Sequence, residues 1–368
     1  MESDAFAAFD YLHFAKTRFA GARHTLALSG VPDVTVADVA EEGAREAVVE
    51  SAALGPALQD WRTRIAARYG VPKDHAMPAM GTSGTVYLAL AALDALLPRD
   101  ATVAVEHPAY GVFESSARLL RRNVVRVARR AEDRYAVDLG AVEDAFRGGA
   151  RVFCLTDLHN PTGIALAYAA VEGLRALARR YDGWIVLDEV YRDFRGGPVA
   201  TAYRPGERVI TMSSLTKCYG LGGLRAGWLF APPAVLARAD LIEEILYGVP
   251  PSTTMRLAAQ ALERADALLA RGRAAAAAGR PVIDAWIAST PRVSWVAPDA
   301  GITGLVRIEG LTDSLAFAER VREELDLQIV PGAFFGAEGH VRLSFGLPPR
   351  TVAAALDVLA LGIPPLAR

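Results

Sequence analysis

The hydrophobic positions of this chain change period several times, and each change marks an element. Residues 208–213 (RVITMS) form a short apolar, β-branched run, and so do 184–188 (WIVLD), 151–155 (RVFCL) and 102–105 (TVAV). Continuous apolar runs of that length read as strands buried on both faces. Between them the period lengthens. Residues 168–181 put Val171, Leu174, Ala178 and Tyr181 on one face, with arginines in the last turn and Asp182-Gly183 as the stop. That pattern predicts an amphipathic helix. Strand and helix alternate from residue 101 to residue 213, the order that builds an α/β sheet of largely parallel strands.

The flanks read differently. Residues 6–19 predict an amphipathic helix carrying Phe6, Phe9, Leu12 and Phe14, with Lys16 and Arg18 near its end. Residues 39–69 are helical in pattern around an interruption at Gly55-Pro56, and an apolar helix runs to Leu97 after Gly81-Thr82-Ser83-Gly84. Residues 250–280 predict one long helix linking the sheet to the C-terminal part of the chain. After Pro281 the pattern turns α+β, with strands at 293–296, 304–308, 327–330 and 340–345 and helices at 312–325 and 349–361. The expected organisation is a large domain over 41–265, a smaller one over 266–368, and an N-terminal segment, 1–40, packing with the smaller domain.

Composition adds limits. A chain of 368 residues, 52% hydrophobic, can bury a sizeable core in two domains. A net charge of −2 offers no general attraction to nucleic acid or to an anionic membrane. The basic stretch 118–134 reads as a solvated helix-and-loop face. The two cysteines, Cys154 and Cys218, lack the spacing of a disulfide framework or a metal site, and Cys154 reads as a small core residue. The first residues, MESDAFAAFD, do not resemble a signal peptide, and no apolar run reaches the about 18 residues that a membrane span needs. A soluble cytoplasmic protein without a metal is expected.

Candidate chemistry collects at strand ends, where open α/β sheets bind ligands. Thr82, Tyr110, Asn160, Asp188 and Ser214 all stand at or just past one. Each has an ordinary reading too. Gly81-Thr82-Ser83 is a helix start, which can serve as a cap or as an anion site. Asn160-Pro161-Thr162-Gly163 passes as a plain turn, and His159 beside it as a solvated loop histidine. Asp188 at the end of an apolar strand is either a helix N-cap or a buried carboxylate in need of a cation. Lys217 comes after a strand, between small hydroxyl residues and the glycines Gly220, Gly222 and Gly223. It is either a solvated lysine or an amine whose basicity is lowered so that it can attack a carbonyl. Arg342, mid-strand in HVRLSF, wants a carboxylate partner.

Taken together, residues 211–228 (TMSSLTKCYGLGGLRAGW) carry S-x-x-K followed by G-x-x-R-x-G-W, and this resembles the lysine segment of the class I/II aminotransferases, the fold type I pyridoxal-phosphate enzymes. The other strand-end residues match that family in order and comparable spacing, over nearly the whole chain. The resemblance implies a mostly parallel sheet of seven strands between helices, with a smaller α+β domain. It implies pyridoxal 5'-phosphate held as an imine on Lys217, with Asp188 at the ring nitrogen and Asn160 and Tyr191 at the ring oxygen. Tyr110 would stack on the ring. Gly81, Thr82, Ser83, Ser214 and Arg225 would hold the phosphate. Arg342 would take the substrate carboxylate, and Gly30 would lie over the substrate site. Lys217, Asp188 and Tyr191 are the catalytic set so implied.

The expected activity is transfer of an amino group from an α-amino acid to a 2-oxo acid, by a homodimer with the site near its interface. Elimination, replacement, cyclisation, racemisation, decarboxylation or oxidation on the same cofactor, in specialised biosynthesis, is the alternative. A pyridoxal-phosphate sensor fused to a DNA-binding domain ranks lower, because the aminotransferase-like pattern starts within the first few dozen residues. Two departures stand out. Residues 48–58 lack the tyrosine that family members usually reach across the dimer, so other partner residues must replace it. No extra arginine for a second carboxylate is found, so a dicarboxylic substrate is not expected.

Overall fold

The computed structural model describes residues 10–19, 21–39 and 54–363. A two-residue strand, β1 (His24–Thr25), precedes the main sheet. The main sheet contains β2 (Ala76–Met80), β3 (Thr102–His107), β4 (Val124–Ala128), β5 (Ala150–Thr156), β6 (Trp184–Asp188), β7 (Val209–Ser214) and β8 (Ala226–Phe230). Its order is β2-β8-β7-β6-β5-β3-β4. Five strands, from β7 through β4, run parallel, while β8 is antiparallel to both β7 and β2.

The predicted strand types agree with position. Every residue of β6, β7 and β8 is buried, which is what a continuous apolar run demands in the middle of a sheet. Edge strands differ. In β4 most residues face water at least in part, and Arg126 and Val125 are exposed. The other edge, β2, holds Pro78, whose missing N–H costs nothing where no further strand pairs. Helices cover both faces and enclose separate apolar clusters on each. The very apolar helix Gly81–Asp94 lies with Ala92, Phe113, Val152 and Met212 on one side, and Trp61, Tyr219, Trp228 and Met255 pack on the other.

The C-terminal part adds β9 (Val293–Trp295), β10 (Thr303–Ile308), β11 (Leu327–Gln328), β12 (Val330–Pro331) and β13 (His340–Ser344). Four of these make an antiparallel sheet, β12-β13-β10-β9, while β1 pairs in parallel with β11. Leu26 is buried in the same cluster as Leu327 and Leu343, so the N-terminal strand belongs to this core.

Several expectations need correction. The helix predicted over 250–280 is two helices, Ser252–Glu263 and Ala265–Ser289, and the second carries Pro281 in its interior. Proline ordinarily ends a helix; here the helix continues through it, and two residues earlier Gly279 packs so closely that a Cβ would lie 1.7 Å from Phe345 O. Gly55-Pro56 lies at the start of the described helix Leu54–Tyr69, and what precedes it falls outside the described residues. Residues 40–53, and with them most of the segment lacking the expected tyrosine, lie outside the described residues, as do Phe6 and Phe9. Of the predicted N-terminal helix, Asp10–Arg18 is described, and Tyr11 and Phe14 are its buried residues.

The basic stretch is not uniformly solvated. Arg129 is buried, with its guanidinium 2.5 Å from the Glu106 carboxylate, and Arg122 reaches Asp94 at 2.5 Å. His159 is buried as well. It bonds Thr162 Oγ1 at 2.6 Å and the Pro108 carbonyl at 2.8 Å, and burial holds its pKa well below the usual range. Polarity at a turn suggests water for both; a deep loop with its own acceptors supplies them instead. Cys154 lies in the core as expected, and Cys218 is buried too. No helix among the described residues is long and apolar enough to cross a membrane.

Candidate active site

The carboxyl ends of β5, β6 and β7 open into a cavity of about 370 Å³. It is lined by Lys217, Asp188, Asn160, Tyr110, Arg342 and Arg225 among others, with Tyr11 contributed from the N-terminal helix. Thr82, Ser83 and Tyr191, also expected from the sequence, line it as well.

Asp188 ends β6 and is 3% exposed. Its Oδ1 accepts the Val190 backbone N–H at 2.8 Å, the only hydrogen bond to this carboxylate among the described residues. Burial pushes its pKa up to about 7, aided by Glu189 and Glu106 and opposed by Lys217. A carboxylate so placed gains from a cation brought into the cavity.

Lys217 lies three residues beyond β7, on a partly buried loop. Its Nζ donates to Ser29 Oγ at 2.6 Å. Burial, with Arg342 and Arg225 nearby, pulls its pKa down to about 7, against the pull of Asp188. Much of the amine is therefore uncharged at neutral pH, as a nucleophile or proton acceptor must be.

One end of the cavity is built for an anion. The helix Gly81–Asp94 begins without a side-chain cap, so its first amides are available. Thr82 Oγ1 donates to Ser214 Oγ at 3.0 Å, and Ser83 Oγ lies 3.2 Å from Tyr110 Oη. Arg225 has a left-handed backbone (φ +52°) and lays its guanidinium against Gly81. Gly81 itself has φ +70°, and a Cβ there would lie 2.1 Å from Arg225 Nη2. Only glycine meets both conditions.

The other end is built around Arg342 in β13, which is 1% exposed. Its guanidinium donates to Asn160 Oδ1 at 3.2 Å, Tyr11 Oη at 2.8 Å and the Ala27 carbonyl at 3.5 Å. It also sits 5.1 Å from the ring centres of Tyr11 and of Phe335. Its hydrogen-bond partners among the described residues are thus an amide, a phenol and a carbonyl, all of them neutral. Since arginine only donates, the Asn160 amide must turn its oxygen to Arg342, which leaves its NH₂ for the cavity. Tyr191 Oη donates to the Ser29 carbonyl at 2.6 Å, and burial pushes its hydroxyl pKa up. Gly30 does not line the cavity; it packs on the backbone of Thr216 and Lys217.

Sequence reading misses Ser29, Tyr11 and Thr156. Thr156 lines the cavity, accepts the Asn160 N–H at 2.9 Å and donates to buried Glu106 at 2.7 Å. Tyr11 shares a face with Phe14 at helical spacing, and that spacing is the one available signal.

The donor set suits pyridoxal phosphate. A buried carboxylate short of a partner, an amine of lowered basicity, and an uncapped helix start beside an arginine match a ring nitrogen, an aldehyde and a phosphate.

A family model described as aminotransferase class I and II matches residues 29–359. An arginine–pyruvate transaminase of Pseudomonas aeruginosa is 31% identical over 312 residues, spanning 82% of this chain and 79% of that protein. Capreomycidine synthase of Streptomyces vinaceus is 28% identical over 344 residues, spanning 90% and 88%. In fold, a PLP-dependent aminotransferase from Streptococcus suis 89-1591 superposes with a TM-score of 0.89 at 22% identity over 97% of each chain.

Proposed function

The chain belongs to the class I and II aminotransferases, pyridoxal-phosphate-dependent enzymes, and from that premise we propose that it moves the amino group of an α-amino acid to a 2-oxo acid, using Lys217 as cofactor anchor and base. The observation that carries the proposal is the meeting, in one cavity, of Lys217 and the buried carboxylate of Asp188 with Asn160, Arg225 and Arg342, beside a helix start without a side-chain cap. When bound, pyridoxal phosphate supplies an electron-withdrawing ring that makes the substrate's α-hydrogen acidic.

The chain's own residues do the rest. Asp188 would pair with the ring nitrogen and keep it protonated. Gly81, Thr82, Ser83, Ser214 and Arg225 would hold the phosphate at the helix start. The Asn160 NH₂ would donate to the ring oxygen, with Tyr191 near it, and Tyr110 would serve as the ring's apolar support. Arg342 forks onto the substrate α-carboxylate, in place of part of its bonding to Tyr11 and Ala27, and so fixes which Cα bond faces the ring. Lys217 Nζ would be the group that takes up the substrate α-proton and returns it. Tyr11 and Leu12 roof the cavity and limit water.

The same reading takes residues 41–265 as the cofactor domain and 266–368, with segment 1–40, as the smaller one; pairing of β1 with β11 and of Tyr11 with Arg342 supports it. It also takes the protein as a cytoplasmic homodimer. Exposed Leu241, Ile245, Leu246, Tyr247 and Val249 form an apolar patch that a second copy would cover.

The test is a single turnover with a panel of amino acids. Conversion of the cofactor to its aminated form, reversed by a 2-oxo acid, is expected. The similarity to capreomycidine synthase over 90% of the chain favours a second reading, cyclisation or elimination on the same scaffold. Product formation with no aminated cofactor would select it.

A further inference from the structure

The amine of Lys217 already has a partner, and it is a residue to which neither the motifs nor the family match assigns a role. Lys217 Nζ donates to Ser29 Oγ at 2.6 Å. Ser29 stands in the loop after β1 and is fixed there by contacts independent of its own side chain. Its carbonyl accepts the Tyr191 hydroxyl at 2.6 Å, and Val31 N donates to the Lys217 carbonyl at 3.1 Å. Between them, Gly30 comes so near that a Cβ would lie 3.1 Å from Thr216 O. The serine is thus pressed against the lysine by backbone on both sides.

We propose that Ser29 is a positioning residue: it takes the Lys217 amine whenever that amine is not bonded to cofactor, and so fixes where Nζ stands beside the cavity. This rests on the reading of Lys217 as base. Once it has taken the substrate α-proton, Nζ carries three N–H groups, and Ser29 Oγ is their acceptor. Giving one N–H to Ser29 Oγ anchors Nζ and leaves the other two for the cavity, one of them the proton to be handed back. The charged groups that face the amine do not supply this. Arg342 and Arg225 carry no acceptor. Asp188 faces it too, yet its hydrogen bond is with Val190 N, and Ser29 is the hydrogen-bond acceptor of Lys217 Nζ among the described residues. No proton leaves the serine in this role; it accepts a hydrogen bond and holds direction. Without it, a flexible four-carbon stem would spread the amine over many positions.

Two variants test it, Ser29→Ala and the shape-conserving Ser29→Cys, whose sulfur is a poor acceptor. In the loaded enzyme the single-turnover rate with an amino acid is expected to fall roughly ten- to hundred-fold. The effect of deuterium at the substrate α-carbon should grow, while KM changes little. A second readout uses the cofactor-free protein. Modification of Lys217 by trinitrobenzenesulfonate, followed by mass spectrometry of its peptide, gives the pH midpoint of the amine. Losing an acceptor disfavours the ammonium form, so both variants should lower that midpoint. Folded variants with the wild-type turnover rate and midpoint would overturn the proposal. Failure of the parent reading is separable: Lys217→Ala that still exchanges the substrate α-hydrogen with deuterated water would remove Lys217 as base, whatever the serine variants do.

Discussion

Gly81 is the residue on which the anion end closes. Any side chain there meets both a left-handed backbone and the Arg225 guanidinium. Gly81→Ala should displace Arg225, weaken pyridoxal phosphate binding at least about tenfold, and destabilise the chain by about 1–2 kcal/mol; titration of cofactor absorbance and a thermal melt measure the two. Asp188 gives a prediction with a sign. Its folded pKa of about 7 lies above that of an unfolded aspartate, about 3.9. Between those values the cofactor-free fold keeps a proton that the unfolded chain has lost, so this group's stabilisation is present at low pH and is lost as pH rises toward 7. Cofactor-free Asp188→Asn lacks that loss. Its stability should gain on wild type by up to about 3 kcal/mol between pH 5 and 8, while its cofactor binding weakens. Denaturant titrations at the two pH values decide; a gap that does not move with pH contradicts it. At this scale much of the site was legible, because Asn160, Asp188, Ser214, Lys217 and Arg225 sit in short local patterns. Ser29 and Tyr11 were not, since their partners Lys217 and Arg342 lie far away in sequence. Nor did any local pattern show that Arg342 would bond Asn160, Tyr11 and the Ala27 carbonyl.

Among elements, the helix Ala265–Ser289 ties the two sheets to the lysine. Gly272 lies where a Cβ would come within 2.3 Å of Cys218 O, and Gly279 where one would come within 1.7 Å of Phe345 O. The first contact presses on the loop that carries Lys217; the second presses on the strand that carries Arg342. Gly272→Ala should therefore cost about 1–3 kcal/mol of stability and weaken cofactor loading as well. Gly279→Ala should cost stability and raise KM for the amino acid, with less effect on loading. Equal effects of both on both readouts would contradict this division. Strand identities in the main sheet were legible because central parallel strands are apolar throughout, as β6 and β7 are. The unbroken course past Pro281 was not. Proline signals a stop locally, and no local pattern around Pro281 marks the helix as continuing.

For the whole molecule, charge and surface suit a small-molecule enzyme that pairs with itself. The apolar patch at the end of helix Pro233–Tyr247 leaves Ile245 85% and Leu241 61% exposed. Sedimentation should give a dimer, and Ile245→Glu with Leu241→Glu should shift it toward monomer; a monomeric wild type at micromolar concentration contradicts the patch's role. Substrate class was beyond the sequence because part of the cavity wall, Tyr11 and Leu12 of the N-terminal helix, is brought there only by tertiary folding. The central claim is the bond between Lys217 and cofactor. The direct measurement is borohydride reduction of the loaded enzyme, followed by peptide mass spectrometry. The account predicts a pyridoxyl mass increment on the peptide containing Lys217 and its loss in Lys217→Ala. An increment on another lysine, or none on a protein saturated with pyridoxal phosphate, would contradict it.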